Sequence, residues 1–253
     1  MKPATFAAAV AAALALPLAV PAVAAPLPQP IAAAAANPAR GDDAQKDAAR
    51  KGPEILAFAG VKPGQKIGDL IPGGGYFTRL FSLAVGPTGK VYSIYPDEYD
   101  KESHPDSDNL RKMAAAAPFT NVKVMTQPAK AFAAPEALDL VFTSQNYHDY
   151  PDKFMGPTDP AVLNAAVYKA LKPGGLYVIV DHRGKAGTGM TETESLHRID
   201  IAAVKAQVQK AGFKFEGESP LLANPKDPLT VVVFDKSIRG HTDQFILKFR
   251  KPK

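Results

Sequence analysis

The turn Asp69-Leu-Ile-Pro-Gly-Gly-Gly75 constrains this chain more than any other stretch of it. It follows a short strand pattern over residues 66–70. Behind it comes helical spacing from Tyr76 to Val85, with Phe77, Leu80, Phe81 and Ala84 on one face. Glycines at such a place let the backbone approach a ligand and take positive φ. The free N–H groups of the helix that opens next lie beside them. In open α/β sheets ligands sit beyond the C-terminal ends of the strands, so the turn reads as a cofactor site.

The rest of the chain repeats this strand–helix alternation. Residues 47–59 have the pattern of an amphipathic helix interrupted near Gly52-Pro53. Further strands are expected at 91–95, 122–126, 138–144 and 176–180, and helices at 106–117, 159–171 and 199–211, the last closed by Gly212. Such alternation predicts an α/β fold with a mostly parallel sheet and helices on both faces. Two last strands, 213–218 and 244–250, have no helical pattern between them, which makes seven strands ending in an antiparallel hairpin. Val231-Val-Val-Phe234 reads either as an extra strand or as a buried loop segment.

The N-terminal stretch is of another kind. Lys2, an apolar run from Phe6 to Val20 and the small-x-small signal Ala22-Val23-Ala24 together read as a signal peptide over residues 1–24. A disordered Ala/Pro-rich leader is the alternative. The run is too short, and too broken by Pro17 and Pro21, for a membrane span, so no integral membrane segment is expected in the mature chain. Residues 25–43 read as an Ala/Pro-rich linker, and 44–253 as the folded domain. The chain has no cysteine, which suits an oxidising periplasm or secretion. A net charge of +5 with scattered lysines does not argue for nucleic acid, and the expected partner is a small-molecule substrate.

Several cofactors could use a glycine turn. A dinucleotide fingerprint starting at Gly73 needs its third glycine where Thr78 stands, and the Gly-Lys-Ser/Thr of a phosphate loop is absent. An acidic residue, then glycines, then an aromatic helix start resembles the first motif of the class I S-adenosylmethionine (SAM)-dependent methyltransferases, acidic-x-Gly-x-Gly-x-Gly. Asp69, Gly73 and Gly75 match it, while Ile71 stands at the first glycine. Val61-Lys-Pro-Gly-Gln65 and Leu171-Lys-Pro-Gly-Gly175 are similar to the family's lead-in and post-helix turns, so the resemblance spans about Lys51 to Arg250. The Pro-Gly-Gly-Gly-Tyr turn is most similar to a group of exported, uncharacterised members.

The resemblance implies a Rossmann-like methyltransferase fold and SAM as cofactor. It implies cofactor contacts at Asp69, Pro72, Gly73, Gly74, Gly75 and Tyr76. Tyr95 holds the place of the acidic residue that usually binds the ribose, with Asp97 or Glu98 as substitutes; Gln127 follows strand three, and Gln145 and Asn146 follow strand four. Methyl transfer needs alignment above all, and a base only when the acceptor must lose a proton. His148, Asp149 and His182 are the candidates for that role, with Asp181, Arg183, His197 and Arg198 nearby in sequence. His148, Asp149, Asp181 and His182 could meet at adjacent strand ends, but no tight spacing such as His-x-x-x-His occurs and no metal is expected. The resemblance thus implies a SAM-dependent methyltransferase acting on a small or envelope-associated acceptor; the alternative is a non-catalytic exported ligand-binding protein that keeps the fold without the chemistry.

Overall fold

The computed structural model describes Met1 and residues 26–253. Nearly all of the expected signal peptide therefore lies outside the described residues. No helix among those described is long and apolar enough to cross a membrane.

Seven strands form one sheet: β1 (Lys66–Leu70), β2 (Lys90–Pro96), β3 (Val122–Gln127), β4 (Leu138–Ser144), β5 (Leu171–His182), β6 (Lys214–Ser219) and β7 (Gln244–Arg250). Their order is β3-β2-β1-β4-β5-β7-β6. All neighbours pair in parallel except β7, which is antiparallel to both β5 and β6. This is the expected mostly parallel sheet with an antiparallel C-terminal hairpin. The order reverses between β1 and β4, and that crevice is where a doubly wound sheet holds its ligand.

Alternation along the strands feeds two cores. Leu140 and Phe142 of β4, Val178 and Val180 of β5 and Ile246 of β7 point to one face. Val141, Tyr177, Ile179, Phe245 and Leu247 point to the other. The first face is covered by α3 (Gly52–Ala59) and α4 (Tyr76–Val85), through Ile55, Leu56, Phe77, Leu80 and Phe81. The second is covered by α6 (Pro160–Ala170) and α8 (Ile201–Lys210), through Leu163, Val167, Val204 and Val208. The Asp159 and Asp200 side chains each accept the N–H two residues on and so cap α6 and α8.

The structure departs from expectation at residues 25–43. Their described part is not a linker but a packed element. Gln29–Ala35 is helical (α1) and sets Ile31 and Ala34 into the core against α4. Pro38–Lys46 winds on as a 3₁₀ segment into a short helix, α2 (Asp47–Arg50). Arg40 is buried there and pairs with Asp47, which also accepts from the Tyr76 hydroxyl, while Arg79 donates to Asp43. The folded body thus begins well before Ala44. Ile31 and Ala34 are the only buried apolar residues of that helix, too few to give a periodic signal in an alanine-rich stretch.

The helix after β2, α5 (Asp97–Ala114), also begins earlier than expected and has Pro105 inside it. Acidic Asp97, Glu98 and Asp100 in its first turn suit a helix N-terminus. Residues 231–234 form a bend leading into a turn, with Val233 buried and Phe234 exposed. That resolves the ambiguity there in favour of a loop.

Candidate active site

The glycine turn leaves β1 through Ile71, whose φ of +50° is left-handed although its side chain is β-branched and buried. This is the position where the resembling family carries glycine, and the backbone here takes the conformation glycine takes easily. Gly73 and Gly75 also have positive φ. A Cβ added at Gly73 or Gly74 would meet nothing within 4 Å, so the face of the turn is open, whereas one at Gly75 would lie 2.4 Å from Leu110 Cδ1. The Tyr95 hydroxyl donates to the Gly73 carbonyl at 2.6 Å, and Arg79 donates to the Gly74 carbonyl at 2.8 Å. Both carbonyls are thereby tied.

Asp69 lies at the C-terminal end of β1, almost fully buried, and accepts a 2.6 Å hydrogen bond from Thr78. Burial pushes its carboxyl up to about 7, although the Thr78 hydroxyl and the Arg50 charge pull the other way. Arg50 packs over the rings of Tyr76 and Phe77, and burial lowers its pKa from the ordinary value. Asp69 and Arg50 share a cavity of about 240 Å³ with Pro72, Gly73, Gly74, Tyr76, Gln145 and Asn146. A second cavity, of about 390 Å³, adjoins it through Arg50, Phe77, Ser144 and Gln145 and continues to His182, Phe234, Arg239 and Gln244. Gln145 stands at the junction with φ of +65° and bonds Gln244 at 3.0 Å.

His182 lines the larger cavity, with Nδ1 2.7 Å from the Thr242 hydroxyl. Burial lowers its pKa to about 4, so its ring is neutral at pH 7. His148 is placed differently. It is buried, it is not among the residues lining either cavity, and its Nδ1 lies 2.7 Å from Asp181. Its Nε2 lies 3.1 Å from Asp149 Oδ1 and 3.3 Å from His197 Nδ1. Asn146 donates to the other Asp149 oxygen at 3.1 Å. The pairing of Ser144 with Val180 brings the β4 and β5 ends, and hence these groups, side by side.

Most of the expected cofactor residues therefore converge: Asp69, Pro72, Gly73, Gly74, Tyr76, Gln145 and Asn146 line one cavity. Gly75 and Tyr95 do not line it: Gly75 packs against Leu110, and Tyr95 reaches the turn only through its bond to the Gly73 carbonyl. Gln127 does not join them. Its side-chain oxygen accepts from the Ala133 N–H, and it lines neither cavity. Reasoning from sequence missed Lys46, Arg50, Tyr99 and Ser144 in the smaller cavity. Arg50 and Lys46 come from the segment before β1, where no motif marks them.

Comparison with known proteins bears on the fold. No protein family profile matches the chain. The ubiquinone/menaquinone biosynthesis C-methyltransferase UbiE of Pasteurella multocida (strain Pm70) is 32% identical over 124 residues, which span 49% of this chain and 42% of that protein. The chain thus matches less than half the length of that relative. A SAM-dependent methyltransferase from Aquifex aeolicus superposes with a TM-score of 0.59 at 16% identity, over 84% of this chain and 96% of that one. The [4+2]-cyclase SpnF superposes with a TM-score of 0.61 at 16% identity, over 82% of each chain. The architecture is the Rossmann-like methyltransferase fold.

Proposed function

We propose that the chain is a SAM-dependent methyltransferase, holding the cofactor in the Asp69–Gly75 cavity and a small-molecule acceptor in the cavity beside it. The observation that carries this reading is the junction of the two cavities at Ser144 and Gln145, on the strand-end edge where β1 and β4 diverge. The residues present fit the cofactor. Asp69 offers a buried carboxylate to a cationic ligand, and the open face over Gly73 and Gly74 admits close approach of the backbone. Bound there, SAM supplies a methyl group activated on a sulfonium centre.

The chain's own residues supply alignment. Phe77 and Phe234 give the acceptor cavity apolar walls, while Arg239 and Gln244 give it polar anchors. Holding two reactants in line is worth several kcal/mol in such displacements. His182, neutral and facing this cavity, is the group placed to take a proton from an acceptor hydroxyl or amine. His148 and Asp149 act from behind, through the strand ends they hold together. On this reading the leader over residues 1–24 directs the protein to the periplasm or outside the cell.

One observation favours a second reading, an exported ligand-binding protein that retains the fold. Tyr95 stands where a strand-two carboxylate would bind the ribose, and its hydroxyl is spent on Gly73. The likeness to a [4+2]-cyclase shows that the fold also carries other activities. Calorimetry with SAM and with S-adenosylhomocysteine tests the proposal. Saturable 1:1 binding, abolished by Gly74→Asp, supports the cavity assignment. Absence of heat with either ligand at high concentration would sink it.

A further inference from the structure

Three ligand atoms that line neither cavity meet at one point: His148 Nε2, Asp149 Oδ1 and His197 Nδ1. Their separations are 3.1 Å, 3.3 Å and 3.6 Å. An ion about 2.1 Å from each of three ligands would hold them about 3.0 Å apart in octahedral geometry and about 3.4 Å apart in tetrahedral geometry. The observed triangle fits one face of such a polyhedron. From this geometry we propose that His148, Asp149 and His197 form a binding site for a divalent first-row transition ion, with zinc as the natural probe.

The arrangement around the triangle supports it. The Asp181 carboxylate, fully buried, accepts the backbone N–H groups of His148 and His182 and lies 2.7 Å from His148 Nδ1. A proton on Nδ1 donated to Asp181 leaves Nε2 as a lone pair aimed at the Asp149 carboxylate. Two electron-rich atoms at 3.1 Å share either a proton or a metal ion, so a metal at this point takes the place of the proton on Nε2. A carboxylate behind the far nitrogen of a histidine ligand is also the usual support of such a site, fixing the tautomer and the ring. Asn146 holds the second Asp149 oxygen, so Oδ1 is presented inward. Asp152, buried and without an ion pair among the described residues, adds negative charge felt by both histidines.

Two imidazoles and one carboxylate suit zinc or iron(II) and leave at least one coordination position for water or another oxygen ligand. Asp149 and His148 are buried, while His197 is about a quarter exposed, so that position opens on the His197 side. The His197 ring packs on Phe234, which lines the larger cavity, at 4.8 Å between centroids. The ion would thus stand at the rim of that cavity. The expected strand-end group lacks His197, which closes the short helix α7 (Thr193–Leu196) before α8 with φ of +52°.

The test needs no cofactor and does not depend on the proposed activity. The untagged full chain is stripped with a chelator, freed of it, and titrated with zinc by calorimetry, then with cobalt(II) by visible absorption. The expected result is one equivalent bound in the micromolar range or tighter, with cobalt bands of a low-coordinate site. His197→Asn, which keeps a residue tolerant of positive φ, and Asp149→Asn each lower affinity at least roughly tenfold, and Asp181→Asn lowers it about 10–100-fold. His241→Asn, at an exposed histidine outside the cluster, leaves it unchanged. Circular dichroism confirms that each variant is folded. Failure of the wild-type chain to bind zinc saturably, or equal affinity in wild type and His197→Asn, overturns the proposal.

Discussion

The Tyr95 hydroxyl at the end of β2 donates to the carbonyl of Gly73 at 2.6 Å, bracing the glycine turn that follows β1. The phenol, fully buried, therefore holds open the turn that the proposed cofactor rests on. Tyr95→Phe keeps the ring and loses the brace. The expected cost is about 0.5–1.5 kcal/mol of stability, or a melting midpoint lower by about 2–4 °C per kcal/mol. S-adenosylhomocysteine should bind roughly threefold to tenfold more weakly, since 1 kcal/mol is about a fivefold change in binding. Differential scanning fluorimetry and calorimetry read the two effects; unchanged values in both would show the bond to be incidental.

Asp69 predicts a pH dependence. Burial pushes its carboxyl in the folded chain up to about 7, above the 3.8 of a free aspartate. The folded state therefore holds a proton that the unfolded state has lost between these values. Stability from this group is full below pH 4 and declines as pH rises through 7. Asp69→Asn, which still accepts from Thr78, removes that decline, so it should gain stability over wild type at pH 8 relative to pH 5. Binding of a cationic ligand runs the other way, strengthening from pH 6 to pH 8 in wild type and staying flat in the variant. Denaturant melts and calorimetry at both pH values decide it.

Ile71 sets backbone strain against burial. Left-handed backbone costs a residue with a Cβ about 1–2 kcal/mol, but emptying a buried isoleucine site costs about 2–5 kcal/mol. Burial wins, and both Ile71→Ala and Ile71→Gly should destabilise. Their order is the informative part. Glycine is ordinarily worse than alanine by about 0.5–1 kcal/mol within an element; here, at φ of +50°, Ile71→Gly should be the more stable of the two by about 1 kcal/mol. Urea unfolding of both variants measures it.

Arg198 and Asp227 form a fully buried two-pronged pair at 2.9 and 3.1 Å, and Arg198 also donates to the carbonyls of Arg183 and Val231. The pair pins the long segment after β6 over the larger cavity. Asp227→Ala strands a buried cation and should cost about 3–5 kcal/mol, with proteolysis falling first between residues 220 and 243. A variant as protease-resistant as wild type would mean that the segment is held by other contacts.

How much of this was legible in the sequence depended on the length scale. Strand β4 and helix α4 stand where hydrophobic spacing placed them, because each buries a continuous run such as Leu140 to Phe142 or Leu80 to Phe81. The glycine turn was legible because its chemistry is local. Arg50 was not, since its role comes from stacking on Tyr76 across the start of α4. Nor was the meeting of His148 with His197, 49 residues apart; the loop after β5 decides it, and no spacing rule encodes that loop. Residues 29–46 escaped for a third reason: polar ties such as Arg79 to Asp43 hold them, and those leave no apolar period.

The place of β7 between β5 and β6 has a consequence for how the molecule is made. A chain emerging from its N-terminus can assemble β1 to β5 in step with synthesis. Strand β6 then waits, for its sole neighbour in the sheet is made after it. Until residues 244–250 appear, β5 presents a bare edge rich in Tyr177, Val178, Ile179 and Val180, the kind of edge that recruits foreign strands. Completion of the sheet is a late, single event that removes this hazard. A ribosome stalled with that segment still in its tunnel would carry a nascent chain most of whose sheet is built but whose stickiest edge has nothing to close it.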